Sequence, residues 1–281
     1  MKTIPYNIII ESVAKLCEEA ATELPPDVLT ALQKALVQEE SPTGREILRQ
    51  CLENADIASG LDDPICQDTG MANFFVDLGA EVLVSGGTLT EAIQEGTRRG
   101  YRDGFLRKSM VADPLFDRKN TGDNTPAMIH VTIFPGDSLR ITILPKGGGC
   151  ENMSALAMLK PSQGEEGVAA FVADTVINSG GKPCPPVIVG VGIGGGSDRA
   201  MHLAKKALLR PVGEPNEDTR YAQLEQKILE KINASGVGPQ GLGGRITALA
   251  VHIEQCACHL ASLPVAVNLN CHAARRASVQ L

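Results

Sequence analysis

Three cysteines stand where the chain turns or breaks. Cys66 lies in Pro64-Ile65-Cys66-Gln67-Asp68-Thr69-Gly70, Cys184 immediately precedes Pro185-Pro186, and Cys271 follows Asn268-Leu269-Asn270. Proline and glycine break regular structure at such places, and Gly70 lets the backbone approach whatever the neighbouring thiol holds. A cysteine kept for bulk belongs in an apolar stripe, as Cys17 and Cys51 do, although the Cys66 heptad alone also suits a buried loop thiol. The three are far apart, unlike the tight pairs of zinc ribbons and ferredoxins, so they suit a site assembled by the whole fold. Three thiolates on a [4Fe–4S] cluster leave one iron open, and an open iron is a Lewis acid able to take a substrate oxygen. Cys256 and Cys258 form a C-x-C pair that competes for the third ligand position. On spacing alone zinc remains an alternative.

Other reactive groups lie nearby in the sequence. Gln67 and Asp68 put an amide and a carboxylate beside the Cys66 thiol, with Asp68 read as a reacting or positioning group. Lys146-Gly147-Gly148-Gly149-Cys150-Glu151-Asn152-Met153-Ser154 reads as a loop feeding a helix, whose bare backbone N–H groups suit an anion. It is not a Walker motif, because the lysine precedes the glycines; its bland reading is a tight turn. Arg107, on a polar-flanked loop, has the fork to clamp a carboxylate, or is a surface arginine. Of the five histidines, His130 and His252 fall in strand patterns and His202 on a helix. His259 falls in a break beside cysteines, where proton transfer or substrate binding is plausible. Gly190-Val191-Gly192-Ile193-Gly194-Gly195-Gly196 follows a strand pattern but lacks the G-x-G-x-x-G spacing and a later acidic ribose ligand, so it reads as a close strand-to-helix turn, with a place near the metal as the functional alternative.

The elements that must carry these groups follow from periodicity. Residues 5–57 read as three helices: a stripe of Ile8, Ile9, Val13 and Leu16, another of Val28, Leu32, Leu36 and Val37, and a third through Leu48, Leu52 and Ile57, opened by a Thr43/Glu46 capping box. Beyond the Cys66 loop, residues 74–78 read as a strand and Thr88/Glu91 cap a helix. The polar run 117–126 reads as a solvated connector or binding loop. Residues 129–134 and 138–144 read as a hairpin turning at Pro135-Gly136-Asp137. Helices over 165–177, 198–209 and 221–233 alternate with strands over 187–191, 246–253 and 264–269, and Arg275-Arg276 reads as a basic tail. This predicts an α+β fold. A helical cap of about residues 1–60 packs on a mixed α/β body of about 61–281 with glycine-rich loops around a metal site, in a single domain.

Composition narrows the function. A 281-residue chain can bury roughly 75% of its unfolded surface, so it needs no disulfide framework. Its net charge of −7 argues against nucleic acid or a basic membrane surface as the main partner, and with no Trp, three Tyr and six Phe it has few platforms for stacking bases. There is no long apolar run and no recognisable export signal. The expectation is a cytoplasmic protein whose eight cysteines are thiols or metal ligands.

In combination, PICQDTG, KGGGCENMS, the CPP segment before GVGIGGGSD, and VNLNC resemble the class I, iron–sulfur-dependent fumarate hydratases and their L-tartrate dehydratase relatives, over essentially the whole chain. The resemblance implies that Cys66, Cys184 and Cys271 hold a [4Fe–4S] cluster with one open iron. It also implies that Asp68 and His259 act in catalysis and that Gln67, Arg107, Gly148 and Gly149 bind substrate. His259 precedes Cys271 by twelve residues, as the family's active-site histidine precedes its last ligand. Family members often have Ser where this chain has Cys150. Single-chain members continue past the third cysteine into a domain carrying a catalytic lysine, a threonine and further arginines, which nothing here matches. The resemblance therefore implies an alpha subunit of a hetero-oligomer such as α2β2, with a beta subunit supplying the rest of the active site. The implied reaction is reversible hydration of a small C4 dicarboxylate, fumarate to L-malate. The alternatives are dehydration of L-tartrate to oxaloacetate and, in another class, a non-catalytic zinc-binding structural subunit.

Overall fold

A computed structural model describes residues Met1–Leu281. In chain order the elements are β1 (Lys2–Pro5), α1 (Tyr6–Thr22), α2 (Pro26–Gln38), α3 (Pro42–Leu61), β2 (Met71–Gly79), β3 (Val82–Ser85), α4 (Leu89–Asp103), β4 (Met128–Phe134), β5 (Leu139–Lys146), α5 (Gly148–Glu151), β6 (Ala155–Leu159), α6 (Gly164–Ser179), β7 (Val187–Gly195), α7 (Ser197–Ala207), α8 (Thr219–Asn233), β8 (Ala248–Cys258), β9 (Leu263–Asn270) and β10 (Ala277–Gln280). This is the expected α+β mixture. The chain forms two compact units: one of Met1–Pro25, Ala55–Gly148 and Arg275–Leu281, the other of Pro26–Asn54 and Gly149–Ala274. The three N-terminal helices are divided between them.

The first unit is built on a four-stranded sheet in the order β10-β5-β2-β4, with β5 antiparallel to both β10 and β2 and β4 parallel to β2. The expected hairpin between the fourth and fifth strands does not form. The nine-residue β2, buried over Ala72–Val76, lies between them, and Gly79, Ala80 and Glu81 donate their N–H groups to the carbonyls of Ser138, Phe134 and Gly136. Those bonds occupy the turn region that a hairpin would have closed on itself. The core joins Phe74 and Val76 of β2 and Ile141 and Ile143 of β5 to Ile9, Ile10, Val13 and Leu16 of α1 and Ile93 of α4. The α1 stripe thus includes Ile10 in place of Ile8, which is exposed. α4 begins with the expected Thr88/Glu91 capping box.

The second unit carries the sheet β6-β9-β7-β8, in which β7 runs parallel to β8 and antiparallel to β9. Alternation along β7 separates its faces. Val187, Val189, Val191 and Ile193 join α6 and α8 in one apolar cluster. Gly190 and Gly192 meet α7: a Cβ on Gly192 would lie 2.0 Å from the Ala200 carbonyl oxygen. The glycines expected in a loop therefore lie largely within β7, where they admit a helix at close range. α3 starts at Pro42, and Ser41 Oγ accepts from the Gly44 N–H (3.2 Å), so Ser41 caps this helix in place of Thr43. Val37 and Ile57, expected in apolar stripes, are exposed. Glu39 is only 2% exposed and accepts from the backbone N–H groups of Glu40, Ser41, Arg245 and Ile246, which ties the end of α2 to the glycine-rich segment before β8.

Candidate functional site

In the first unit the Cys66 heptad is a loop with no helix or strand of its own, and Asp68 at its centre is held on every side. The Asp68 N–H donates to Cys66 Sγ (3.4 Å), the kind of bond that stabilises a thiolate. The Asp68 carboxylate accepts from the Gly70 N–H at Oδ1 (3.1 Å) and from the Gly148 N–H at Oδ2 (2.8 Å). That second bond joins the PICQDTG loop to the KGGG loop, eighty positions apart. Gly70 has φ +82, and a Cβ there would lie 2.9 Å from the backbone of Lys146, so both backbone angle and space require glycine.

The loop's carbonyls turn the other way, into protein. Arg275 Nη2 donates to the Asp68 carbonyl (2.9 Å). Tyr101 Oη lies 3.2 Å from the Thr69 oxygen and 3.0 Å from that of Gly70, and Asn124 Nδ2 donates to the Gly70 oxygen (3.2 Å). Burial pushes the Tyr101 hydroxyl far above its ordinary range, so it serves as a neutral donor. The segment carrying Arg107 is held by the same groups: Thr69 Oγ1 donates to the Arg107 carbonyl (3.1 Å), and Asn124 Oδ1 accepts from the Ser109 N–H (2.7 Å). The Arg107 side chain itself is exposed, as are Gln67 and Gly148, so these groups face outward from a loop fixed from beneath.

In the second unit β7 and β9 bring two of the cysteines to one end of the sheet. Register pairs Ile188 with Asn270, which places Cys184, ahead of β7, beside Cys271, just after β9. The His272 N–H donates to the Cys184 carbonyl (3.3 Å), and His272 Nδ1 lies 3.2 Å from the same oxygen. Gln240 Nε2 lies 3.2 Å from His272 Nδ1 and 3.1 Å from the Pro185 carbonyl oxygen. Burial disfavours the charged imidazole, but a hydrogen bond with Cys51, the charges of Cys271 and Cys51, and the Cys184 carbonyl outweigh it and push His272 up to about 9. Cys184 is exposed, with φ 53, and Cys271 is half-buried. Gly149, exposed on the short α5, lies where a Cβ would meet the Lys182 carbonyl oxygen at 3.0 Å. Glu151 of the same motif takes Lys205 Nζ (2.5 Å) and Asn268 Nδ2 (3.2 Å), so the KGGGCENMS and VNLNC segments are tied together.

The same register places the other candidates elsewhere. Gly195 pairs with Cys258 at the far end of β7, so Cys256, Cys258 and His259 lie about 30 Å along the sheet from the Cys184 end. His259 is exposed in the β8–β9 turn, where its Nδ1 accepts from the Ala261 N–H (3.1 Å). The structure does not bring His259 to Cys184 and Cys271 of its own chain. The glycine turn at Gly194-Gly195 lies at that far end too, so it is not near this cysteine pair. Cys17 is buried, and burial pushes its thiol far above the ordinary range; Cys150 is buried with Sγ 3.4 Å from the Pro183 oxygen. Arg275, expected in a basic tail, is 3% exposed.

None of the eight cysteines is in a disulfide; Cys66 in the first unit and Cys184 and Cys271 in the second lie on loops and are half-buried or exposed, the chemistry a cluster ligand needs, while Cys256 and Cys258 are exposed on β8. Sequence reasoning missed Tyr101, Asn124, Gln240, His272 and Arg275. Only Asn124 carried a signal, its place in the donor-rich 117–126 loop. The rest act across distances in sequence that no local pattern reports.

The model of a family described as fumarate hydratase (Fumerase) matches residues 10–280. The chain is 46% identical over 274 residues to a "Putative L(+)-tartrate dehydratase subunit alpha" of Methanocaldococcus jannaschii, covering 96% of each chain. It is 36% identical over 280 residues to the L(+)-tartrate dehydratase subunit alpha of Escherichia coli strain K12, covering 97% of this chain and 90% of that one.

Proposed function

The chain belongs to the fumarate hydratase family, and from that premise we propose that it is the alpha subunit of an iron–sulfur hydro-lyase acting on a C4 dicarboxylate. The observation that carries the reading is the Gly148 N–H to Asp68 carboxylate bond, which unites the two family loops around one acidic group. The residues that would hold a [4Fe–4S] cluster are Cys66, Cys184 and Cys271. Once bound, the cluster would supply a Lewis-acidic iron.

The chain's own residues would do the rest by placement. The Arg107 guanidinium would take a substrate carboxylate through its fork, with the exposed Gln67 amide and the N–H groups of Gly147 and Gly149 as further donors. Asp68, fixed by two backbone N–H groups, would hold or move a proton at its carboxylate oxygens as water leaves or adds. No role is proposed for His259 at the Cys184/Cys271 end of its own sheet, because the strand register separates them. A beta subunit would contribute the base that removes the C3 proton.

Two substrates fit. The family description favours fumarate and L-malate, and the names of the relatives favour L-tartrate with oxaloacetate as product. The test is anaerobic reconstitution of the chain with its beta partner and assay on fumarate, L-malate and L-tartrate. Turnover of at least one by a brown protein that bleaches in air supports the reading. A colourless zinc protein inactive on all three overturns it.

A further inference from the structure

Arg275 stands out once the site is assembled. It is 3% exposed, its Nη2 donates to the Asp68 carbonyl, and its Nε and Nη1 are buried with no hydrogen-bond partner. A buried guanidinium is costly, and a buried donor left without a partner costs more. Nothing about β10, which follows two residues later, requires a charge at this position; a packed aliphatic side chain would fill the space at lower cost. What the charge does touch is the backbone of the residue at the centre of the candidate site.

We propose that Arg275 is a positioning residue for Asp68, holding the Asp68 carbonyl inward so that the carboxylate faces Gly148 and the N–H faces Cys66. The geometry is specific. All three hydrogen-bonding parts of Asp68 are engaged: its N–H on Cys66 Sγ, its carboxylate on the N–H groups of Gly70 and Gly148, its carbonyl on Arg275. Losing the anchor on that carbonyl would free the Asp68–Thr69 peptide to turn and loosen the backbone that aims the carboxylate at the KGGG loop. Tyr101 and Asn124 hold the next two carbonyls, so Arg275 is the first of three inward anchors and the one that acts on Asp68 itself. The arginine reaches the loop from the end of the chain, on the segment that returns to the first unit after Cys271.

The inference deepens the hydro-lyase reading but is tested without depending on it. Arg275→Met and Arg275→Lys are made in the full chain, and hydrogen exchange is followed at Gly70 and Gly148, the two amides that bond the Asp68 carboxylate. In Arg275→Met these two amides exchange about tenfold faster or more, while amides in the centre of β2 and β5 keep wild-type rates. Arg275→Lys, which retains a donor, recovers part of the protection. In the complex with the beta subunit, Arg275→Met lowers kcat by about ten- to a hundredfold with KM and iron content near wild type. Wild-type exchange at Gly70 and Gly148 in Arg275→Met overturns the proposal. So does a loss of protection spread evenly through β2 and β5, which marks Arg275 as a general support of the fold. If Arg275→Met does not fold, Arg275→Lys and Arg275→Gln carry the same comparison. A wild-type complex inactive on every dicarboxylate would sink the hydro-lyase reading and leave the exchange result to decide the role of Arg275.

Discussion

Asp68 is a loop aspartate whose N–H, carbonyl and carboxylate are all held, unlike a solvated surface aspartate. The two backbone N–H groups on its carboxylate fix its direction to within the geometry of a hydrogen bond. Asp68→Asn keeps the shape but removes the proton-accepting capacity. The expected result is a fall in kcat of about a hundredfold or more with iron content unchanged, read by steady-state kinetics on the anaerobic complex. The cysteines divide just as sharply. Cys66→Ser, Cys184→Ser and Cys271→Ser are each expected to lose iron on anaerobic purification, whereas Cys17→Ser retains it, because Cys17 is packed between α1 and α4 with a thiol that burial keeps protonated. Wild-type iron in any of the three loop variants contradicts the ligand assignment.

At the scale of elements, sheet register carries the argument. β7 and β9 bring Cys184 and Cys271 together at one end, and the glycines of β7 let α7 lie directly on it. Gly192→Ala would set a methyl 2.0 Å from the Ala200 carbonyl oxygen, so a loss of about 3 kcal/mol in urea denaturation is expected. Glu39 gives a pH signature. Burial opposes its ionisation, but the N–H groups of Arg245, Ile246, Ser41 and Glu40 outweigh that and hold it below the ordinary 4.5. A carboxylate whose folded-state value is depressed stabilises the fold above the unfolded value and loses that contribution as pH falls through the folded one. The stability gap between wild type and Glu39→Gln should therefore be full at pH 7 and shrink below about pH 4, measured by denaturation at both. Periodicity was sufficient for the helices and most strands, since burial of one face writes itself into the sequence. It could not show that β2 inserts between β4 and β5, because strand order depends on pairing between distant segments. Nor could it distinguish the glycines of a strand under a helix from those of a loop.

Across the whole molecule, the candidate loops stand out in the sequence because their composition conflicts with ordinary packing: PICQDTG, KGGG and CPP put thiols, carboxylate and bare backbone where a core would put Leu or Val. Their supports were not legible. Tyr101, His272 and Arg275 look like a helix end, a chance histidine and a basic tail until the fold sets them against the loops. No helix is long and apolar enough to cross a membrane. In the proposed reading this chain would supply a proton-handling carboxylate, a carboxylate clamp and the cluster ligands. In the same reading the base for the C3 proton would come from a beta subunit. The most direct test of that division is turnover of the anaerobic, iron-loaded chain as the beta subunit is titrated in. The account predicts no hydration or dehydration of fumarate, L-malate or L-tartrate by the chain alone, and activity that rises to saturation with added partner. Full activity of the chain alone, or none at any ratio of partner to iron-loaded chain, would contradict it.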